Sequence, residues 1–431
     1  MARQMKDSGI EWIGEIPETW MISKNKYLLT SMYSGGTPSA GNPEFYDDEN
    51  GVPFVSISDM STTAFVGSTK KGLTEAGIAD KGLVILPAGT VLYSIYATVG
   101  AVSELAIPAT INQAMLALML KPDVCKAYYK YCLLAMKDYI FGSANGNTQF
   151  NLNAEKVWNF TFPLPIQSTQ QRIAAFLDRK CTEIDVVIER TKATIEEYKK
   201  LKQAVITEAV TKGVRGARKM KDSGIEMIGS IPSDWACTRV SRIATVVRGG
   251  SPRPAGDSRF FNGNFIPWIT VAEVTNTVGH YITSTETCLT EEGAKCSRIV
   301  EAGTLLLSNS GATLGVPKIT SIRGCINDGS VAFYNLEIDK KYLLYVFASY
   351  TDELRKQRQG YGQPNLNTDI IKGLYIPQPP EYEQEEIVDY LDEKCTALDA
   401  LIAKKTALLT ELETYKKSLI YEYVTGKKEV G

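Results

Sequence analysis

The chain has very few of the side chains that build metal or redox centres. Among its 431 residues there is one histidine, His280, and the eight cysteines form no Cys-x-x-Cys pair. A lone histidine without a neighbouring ligand does not make a zinc site, and we expect it to be a surface or turn residue. The cysteines are expected to be reduced and mostly packed thiols.

A net positive charge and long apolar segments are also missing. The formal net charge is −2, so the chain does not grip a nucleic acid through overall charge, and any such binding must use local basic loops or a partner's surface. No apolar run is long enough to cross a bilayer, and residues 1–7 lack the apolar core of a signal peptide. We therefore expect a cytoplasmic protein that does not contact a membrane.

The sequence signatures of catalysis are missing as well. There is no Gly-x-x-x-x-Gly-Lys-Ser/Thr loop for nucleotide phosphates, no His-Glu-x-x-His and no Gly-x-Ser-x-Gly. The Asn/Asp-Pro-Pro-aromatic motif of an adenine methyltransferase is not found either. We therefore predict no catalytic residue, no metal site and no cofactor bound by this chain.

What the sequence does contain is an internal repeat. Residues 5–20 and 220–235 are identical at 12 of 16 positions, at an offset of 215 residues. The register continues at offsets of 214 or 215, since residues 35–38 match 249–252 and residues 111–113 match 326–328. This period is far too long for a solenoid unit and indicates a duplicated domain that covers nearly the whole chain.

Each copy begins with a globule, over residues 1–165 and 215–379. Short β-rich runs such as 52–58 and 82–94 alternate with Gly and Pro turns, and one amphipathic helix is predicted at 124–140 and again at 341–357. This mixture predicts an α+β fold.

Each copy ends with a long helix, over residues 166–214 and 380–431. Residues 167–212 contain neither Pro nor Gly, and apolar residues recur every seven positions in both segments. The predicted seam comprises Leu177, Ile184, Ile188, Ile195 and Tyr198 in the first helix and Leu391, Leu398, Ile402, Leu409 and Leu412 in the second, with polar residues at its middle. Because the chain order is globule, helix, globule, helix, we predict two α+β domains separated by two long helices that pack as an antiparallel coiled coil.

The two copies share their framework and differ in three loops. These loops hold side chains that donate and accept hydrogen bonds at base edges and phosphates. Gly, Ser and Asn also form turns, and for any single residue that explanation is as good. The whole set occurs at matching places in both copies, which favours DNA contact. The candidates are Thr37, Ser39, Tyr96, Thr98, Asn147, Gln149 and Asn151 in the first copy and Arg248, Ser251, Arg253, Asn309, Thr313, Tyr361, Gln363 and Asn365 in the second.

The chain resembles the specificity (S) subunits of type I restriction–modification systems. The resemblance rests on the paired openings MKDSGIE-x-IG-x-IP-x-x-W, the Gly-Gly-Thr/Ser-Pro loops, the Asn-Leu-Asn segments and the Pro-rich junctions before each helix. It implies that the globules are target-recognition domains, each reading half of a bipartite double-stranded DNA site. It also implies a central and a distal spacer helix that set the gap and dock methyltransferase subunits, two per chain. S-adenosylmethionine, ATP and magnesium would be bound by the methyltransferase and restriction/translocase partners.

Two alternatives are weighed against this non-catalytic DNA reader. A self-contained methyltransferase or nuclease should carry paired acids in both copies, but Asp47 and Asp48 correspond to Phe261 and Asn262. A coiled-coil scaffold has no need of globules whose loops differ between copies. Both alternatives are therefore less favoured.

Overall fold

The computed structural model of the chain describes residues 3–60, 64–142, 152–311, 314–356 and 366–430. It divides into two compact units, one of Met1–Thr191 with Leu408–Gly431 and one of Lys192–Ala407. Each unit contains one predicted globule and a part of both long helices. Within the described ranges, no helix has the combination of length and apolar content that crossing a membrane requires.

The first globule contains short strands and short helices around one longer helix. Its strands are β1 Met5–Asp7, β2 Glu15–Pro17, β3 Met21–Lys24, β4 Leu29–Ser34, β5 Val52–Val55, β6 Phe65–Val66, β7 Lys71–Leu73, β8 Val91–Ser94, β9 Val102–Leu105, β10 Thr110–Ile111, β11 Met115–Leu120 and β12 Thr161–Leu164. Its helices are α1 Asn25–Leu28, α2 Ile57–Met60, α3 Glu75–Lys81, α4 Lys126–Gly142 and α5 Ala154–Trp158, with a 3-10 turn at Pro43–Phe45. The first long helix, α6, spans Gln167–Lys212.

The second globule repeats this order. Its strands are β13 Met220–Asp222, β14 Ser230–Pro232, β15 Ala236–Arg239, β16 Thr245–Arg248, β17 Phe261–Ile269, β18 Tyr281–Ile282, β19 Cys288–Leu289, β20 Arg298–Val300, β21 Leu305–Ser308, β22 Pro317–Thr320, β23 Gly324–Ile326, β24 Ser330–Tyr334 and β25 Tyr375–Gln378. Its helices are α7 Val240–Ile243, α8 Val271–Asn276, α9 Glu291–Lys295, α10 Lys340–Lys356 and α11 Thr368–Gly373. The second long helix, α12, spans Glu381–Val424.

Both globules are built on a five-stranded sheet with the same topology. The strand order is β4-β11-β8-β9-β6 in the first and β16-β24-β21-β22-β18 in the second. A smaller sheet accompanies each, with the orders β10-β5-β7 and β19-β17-β23-β20. The repeated α+β architecture predicted from the sequence is confirmed.

Two predicted strands are shorter than expected. The run at 52–58 ends as a strand at Val55, because the backbone amide of Ser56 donates to a carboxylate oxygen of Asp59 at 2.8 Å and the chain turns into α2. The run at 82–94 is a strand only over Val91–Ser94. Its first residue, Gly82, has φ +58° and ends α3 instead, in the left-handed conformation that favours glycine.

The two long helices pack antiparallel in each unit. In the first unit the Phe176 ring lies 4.4 Å from that of Tyr423, and Lys416 forms a 2.6 Å ion pair with Asp185. In the second unit Lys202 pairs with Asp399 at 2.6 Å. Later residues of α6 therefore meet earlier residues of α12, and the predicted antiparallel coiled coil is confirmed.

The seam between the helices follows the seven-residue period. Every predicted seam residue is buried or half-buried: Leu177, Ile184, Ile188, Ile195 and Leu391 are buried, and Tyr198, Leu398, Ile402, Leu409 and Leu412 are half-buried. The seam lysines Lys202 and Lys416 occupy equivalent positions in the repeat, and each pairs with an aspartate of the opposite helix. Such pairs satisfy a charge in the seam and help to fix its register.

Each core is closed by a helix that belongs to the other copy. Leu419, Ile420 and Val424 at the end of α12 join the core of the first unit, and Ile206 and Val210 at the end of α6 join that of the second.

Buried tyrosines link each globule to the end of that helix. The Tyr128 hydroxyl lies 2.9 Å from the carbonyl oxygen of Val424 and 3.0 Å from that of Pro163. In the second globule the Tyr342 hydroxyl lies 3.2 Å from the carbonyl oxygen of Val210 and 3.1 Å from that of Pro377. In each globule, one tyrosine hydroxyl thus forms hydrogen bonds with a carbonyl oxygen at the end of one long helix and with a carbonyl oxygen of the strand that precedes the other long helix.

Substitution of Tyr342 by Phe should lower the free energy of unfolding by about 1–3 kcal/mol, because two buried carbonyl oxygens lose their donor. Tyr27→Phe is the matched control, since Tyr27 is 59% exposed, and it should change the value by less than about 0.5 kcal/mol. Urea denaturation of both variants measures the difference. Equal effects would show that the Tyr342 hydroxyl does not hold the helix end.

Candidate nucleic-acid interface

Three loops of the first globule leave the same edge of its five-stranded sheet. Strands β4 and β8 both run antiparallel to β11, with Ser34 opposite Leu116 and Ser94 opposite Met115. The ends of β4 and β8 therefore lie beside the start of β11. We call residues 35–40, 95–100 and 112–114 the first loop edge.

The second globule has the same arrangement. Arg248 lies opposite Val331 and Ser308 lies opposite Ser330, so the loops after β16 and β21 meet the loop before β24. We call residues 249–257, 309–311 and 327–329, together with Arg248 at the end of β16, the second loop edge. In each globule the structure brings together two of the loops predicted from the sequence.

A close backbone approach explains the paired glycines of these loops. A Cβ atom added to Gly35 would lie 1.9 Å from the carbonyl oxygen of Asn112, and one added to Gly249 would lie 2.1 Å from that of Asn327. No side chain fits at these separations, so glycine is required at both places. The Gly-Gly-Thr/Ser-Pro motif thus packs each loop directly against the neighbouring turn, and we call this contact the seal.

A side-chain hydrogen bond completes the seal in both copies. The Thr37 hydroxyl bonds to the Gln113 amide oxygen, and the Ser251 hydroxyl donates to a carboxylate oxygen of Asp328 at 2.6 Å. Gln113 and Asp328 were not among the predicted site residues. The repeat did contain the signal, because these two residues correspond and differ within an otherwise matching segment.

Buried serines hold the base of the second loop in each copy. Ser94 accepts a hydrogen bond from the backbone amide of Ala101 at 3.2 Å, and Ser308 accepts one from Val316 at 2.9 Å. In the first globule this support leaves Tyr96 and Thr98 exposed at the loop tip. Loops on a rigid base with exposed polar tips suit specific binding.

Arginine side chains dominate the second loop edge. Arg248 and Arg253 are exposed, and Arg253 lies 3.2 Å from a carboxylate oxygen of Asp328. The Ser251 hydroxyl, and then these two arginines, lower the pKa of Asp328, so its carboxylate is charged at neutral pH.

The predicted contact residues divide into four groups. Ser39, Tyr96, Thr98, Arg248 and Arg253 are exposed, and Thr37 and Ser251 are half-buried beneath them. Asn309 is buried. The others lie outside the described residues, and they are Asn147, Gln149, Asn151, Thr313, Tyr361, Gln363 and Asn365.

Asn309 requires a correction. Its side chain is 0% exposed, and its amide nitrogen donates to the carbonyl oxygen of Leu366 at 3.3 Å. The backbone amide of Leu366 donates in return to the carbonyl oxygen of Asn309 at 2.7 Å. A buried amide does not reach a base edge, so Asn309 anchors the chain at Leu366 to the second loop edge instead.

His280 also differs from the expectation of a surface or turn residue. It is half-buried, and its ring lies 5.1 Å from the Tyr345 ring in an edge-to-face arrangement. Burial lowers the pKa of His280, and nearby Lys202 and Lys318 lower it further, so the ring is neutral at pH 7.

One of the pairs of acids that correspond in the two copies, Asp59 and Glu273, has a structural role. Asp59 accepts from the backbone amide of Ser56 at 2.8 Å, and Glu273 accepts from that of Thr270 at 2.9 Å. Both acids cap the start of a short helix, α2 and α8.

Comparison with known protein families gives one match that covers most of the chain. The model of the type I restriction modification DNA specificity domain matches twice, over residues 17–197 and 232–414. The two matches reproduce the internal repeat.

Similar proteins and structures extend over the same length. A Methanocaldococcus jannaschii protein described as a type I restriction enzyme MjaX specificity subunit is 25% identical over 437 residues, which cover 97% of this chain and 96% of that protein. The EcoR124I/EcoR124II specificity subunit of Escherichia coli is 28% identical over 200 residues, 44% of this chain and 46% of that one. A chain in a solved structure of a type I R-M system, 18% identical, has a TM-score of 0.71 and covers 96% of this chain and 99% of its own length. That structural likeness concerns the fold.

Gly35→Ala should displace the first loop from the turn at Asn112, since the new Cβ has no room. The Gly36 amide, which donates to Ile111 at 3.1 Å, should then exchange its hydrogen at least about tenfold faster, as for a local loss of about 1.4 kcal/mol. Gly41→Ala is the control, because no atom lies within 4 Å of its added Cβ. Hydrogen exchange measured by mass spectrometry on peptides over 33–40 provides the test, and unchanged exchange in Gly35→Ala would refute the seal.

Proposed function

The chain belongs to the type I restriction modification DNA specificity family, and from this premise we propose that it reads a bipartite double-stranded DNA target, one half through each loop edge. It is a DNA-recognition subunit and not an enzyme. The observation that carries the proposal is that the same kind of loop edge occurs in both globules. The two edges share the glycine seal and the hydroxyl hydrogen bond, but their exposed side chains differ. Two equal frameworks with unequal contact residues suit two different half-sites.

The proposed domains follow the sequence. Residues 1–165 and 215–379 are the two target-recognition domains, residues 166–214 form the central spacer helix and residues 380–431 the distal one. In the cytoplasm the subunit would direct methyltransferase subunits, which bind S-adenosylmethionine, to the target. Restriction/translocase subunits would bring the ATP- and magnesium-dependent steps.

The contacts with DNA are assigned by exposure and chemistry. At the first loop edge Ser39, Tyr96 and Thr98 offer hydroxyl groups that donate to and accept from base edges or phosphates. At the second, Arg248 and Arg253 offer guanidinium groups. Thr37 and Ser251 support these loops from below, and the same role as contacts is proposed for the candidates outside the described residues.

The long helices are proposed to set the gap between the two half-sites. Their seams repeat every seven residues, so an insertion of seven residues keeps the seam phase of a helix, whereas an insertion of two breaks it.

Seven residues inserted after Ala193 and seven after Thr406 should lengthen the gap by up to about three base pairs. They add about 10 Å of helix, and base pairs stack about 3.4 Å apart. Mapping methylated adenines in cells that express the variant with its methyltransferase partner gives the readout. The half-sites should stay the same, and two-residue insertions should abolish methylation. Sites with the original gap would refute the ruler, and a target without two parts would refute the proposed function.

One side of the helix pair is proposed to dock the methyltransferase subunits. In heptad notation, with Leu177 at d and Cys181 at a, residues 187 and 201 of α6 and residues 401 and 415 of α12 are all g positions. In antiparallel helices the g positions of both lie on one side of the seam, and the e positions lie on the other.

The e side is occupied by the globule in each unit. Asp178 accepts from the Tyr131 hydroxyl at 2.8 Å in the first, and Asp392 accepts from that of Tyr345 at 2.7 Å in the second.

The g side instead carries exposed apolar residues. They are Val187 and Tyr415 in the first unit and Leu401 and Leu201 in the second. Because these two pairs correspond in the repeat, they fit two copies of one partner, which supports two methyltransferase subunits per chain.

Val187→Glu should weaken binding of one methyltransferase subunit by roughly 30-fold, as expected for about 2 kcal/mol lost at an interface hot spot. Native mass spectrometry of the complex should then give one subunit per chain in place of two, and Leu401→Glu should do the same. Val186→Glu is the matched control, since this neighbour is equally exposed, 45% against 43%, but points away from the seam at an f position. Two bound subunits in all three variants would place the docking surface elsewhere.

A further inference from the structure

We propose that the two loop edges hold their half-sites by different forces. The second edge uses a cluster of arginines that neutralises backbone phosphates, and the first edge uses uncharged contacts. This inference rests on the proposed function and deepens it, because it assigns a binding mode to each half-site.

The cluster is present in one copy only. Arg248, Arg253 and Arg298 are exposed in the second globule. At the offset of 214 residues the first globule has Ser34, Ser39 and Val84 in their places. The framework beneath is the same in both copies, so the difference lies in the charge of the exposed side chains.

The three arginines form one connected group, with Arg248 and Arg253 in the second loop edge and Arg298 beside it at the start of β20. Arg298 donates from Nε to the carbonyl oxygen of Arg248 at 3.0 Å, and Arg248 donates from Nε to the carbonyl oxygen of Asp328 at 2.7 Å. Arg253 donates from Nη2 to the Asp328 carboxylate at 3.2 Å. Each guanidinium is thus oriented through one nitrogen, and its other nitrogens make no further hydrogen bond within the part of the chain that the structure describes.

Asp328 is the positioning residue of this group. Its backbone carbonyl orients Arg248, and its carboxylate binds both Ser251 and Arg253. With one acid among three arginines, the cluster keeps a net charge of about +2 at neutral pH. Gln113 takes the equivalent place in the first globule and adds no charge.

Because these arginine side chains are exposed, the phosphates of the DNA backbone are the ligand that suits them. The Arg253 side chain is 70% exposed, and a chain with a net charge of −2 gains attraction to DNA only where its cations are concentrated. Guanidinium groups bind phosphate oxygens in a fork geometry, and each phosphate that is neutralised releases counterions. The half-site at the second edge should therefore account for more of the salt dependence of binding.

The test compares how affinity depends on salt. The complex of the chain with its methyltransferase subunits is titrated with its target duplex over a range of salt concentrations. In the double variant Arg248→Ser, Arg253→Ser, which copies the first globule, the slope of log K against log salt should become shallower by about 0.9 for each lost phosphate contact, about 1.8 in all. The reverse variant Ser34→Arg, Ser39→Arg should steepen it.

Arg323→Ser is the matched control. Arg323 is also exposed, by 55%, and it pairs with Glu301 beyond the end of β22, at the opposite edge of the sheet. The slope of log K against log salt for the Arg323→Ser variant should equal that of the unmodified complex.

Each outcome is decisive. An unchanged slope in the double variant would overturn the inference, and so would a loss of preference at a single base pair without a change of slope, which would mean that the arginines read bases. If the unmodified complex fails to bind DNA at all, the proposed function itself fails.

Discussion

The antiparallel pairing of α6 with α12 is the constraint on which both globules depend. Neither core is complete with residues of its own sequence copy, because Val210 closes the second core and Val424 closes the first. The tyrosine hydroxyls of Tyr128 and Tyr342 fix these helix ends by hydrogen bonds that a change of register would break. The seam is therefore both the connection between the copies and a part of the stability of each one.

At each loop edge, the residues that hold the loops in place differ from the residues that are exposed at the loop tips. Glycine contacts, buried serines and the hydroxyl bonds to Gln113 and Asp328 hold the loops, and none of these needs the identity of the exposed side chains. The tips can therefore change without loss of the fold. This separation allows one architecture to present serine and tyrosine in one place and an arginine cluster in the other.

The sequence predicts the features that arise from local pattern. The duplication was visible in 12 identical positions of 16, and the predicted helix of 166–214 agrees with Gln167–Lys212 because neither Pro nor Gly interrupts it before Gly213. Features that arise from contacts between distant residues were missed. Ser251 and Asp328 are 77 residues apart and meet only because β16 pairs with β24, and the burial of Asn309 depends on Leu366, 57 residues further along the chain. The proposed DNA contacts were selected by residue type, and type alone does not reveal which side chains the fold turns inward.

One unit is formed by a single continuous segment of the chain and the other by two segments. This difference affects the order in which the units can fold during synthesis. The second unit is continuous, from Lys192 to Ala407, whereas the first needs Leu408–Gly431 in addition to Met1–Thr191. On the ribosome the chain emerges from its N-terminus, and a domain closes only when its last core residues are available. The globule that is translated first is therefore completed last. Until Leu419, Ile420 and Val424 arrive, the apolar surface that they cover stays open to solvent, and the nascent first globule is the part of the molecule most exposed to aggregation and proteolysis.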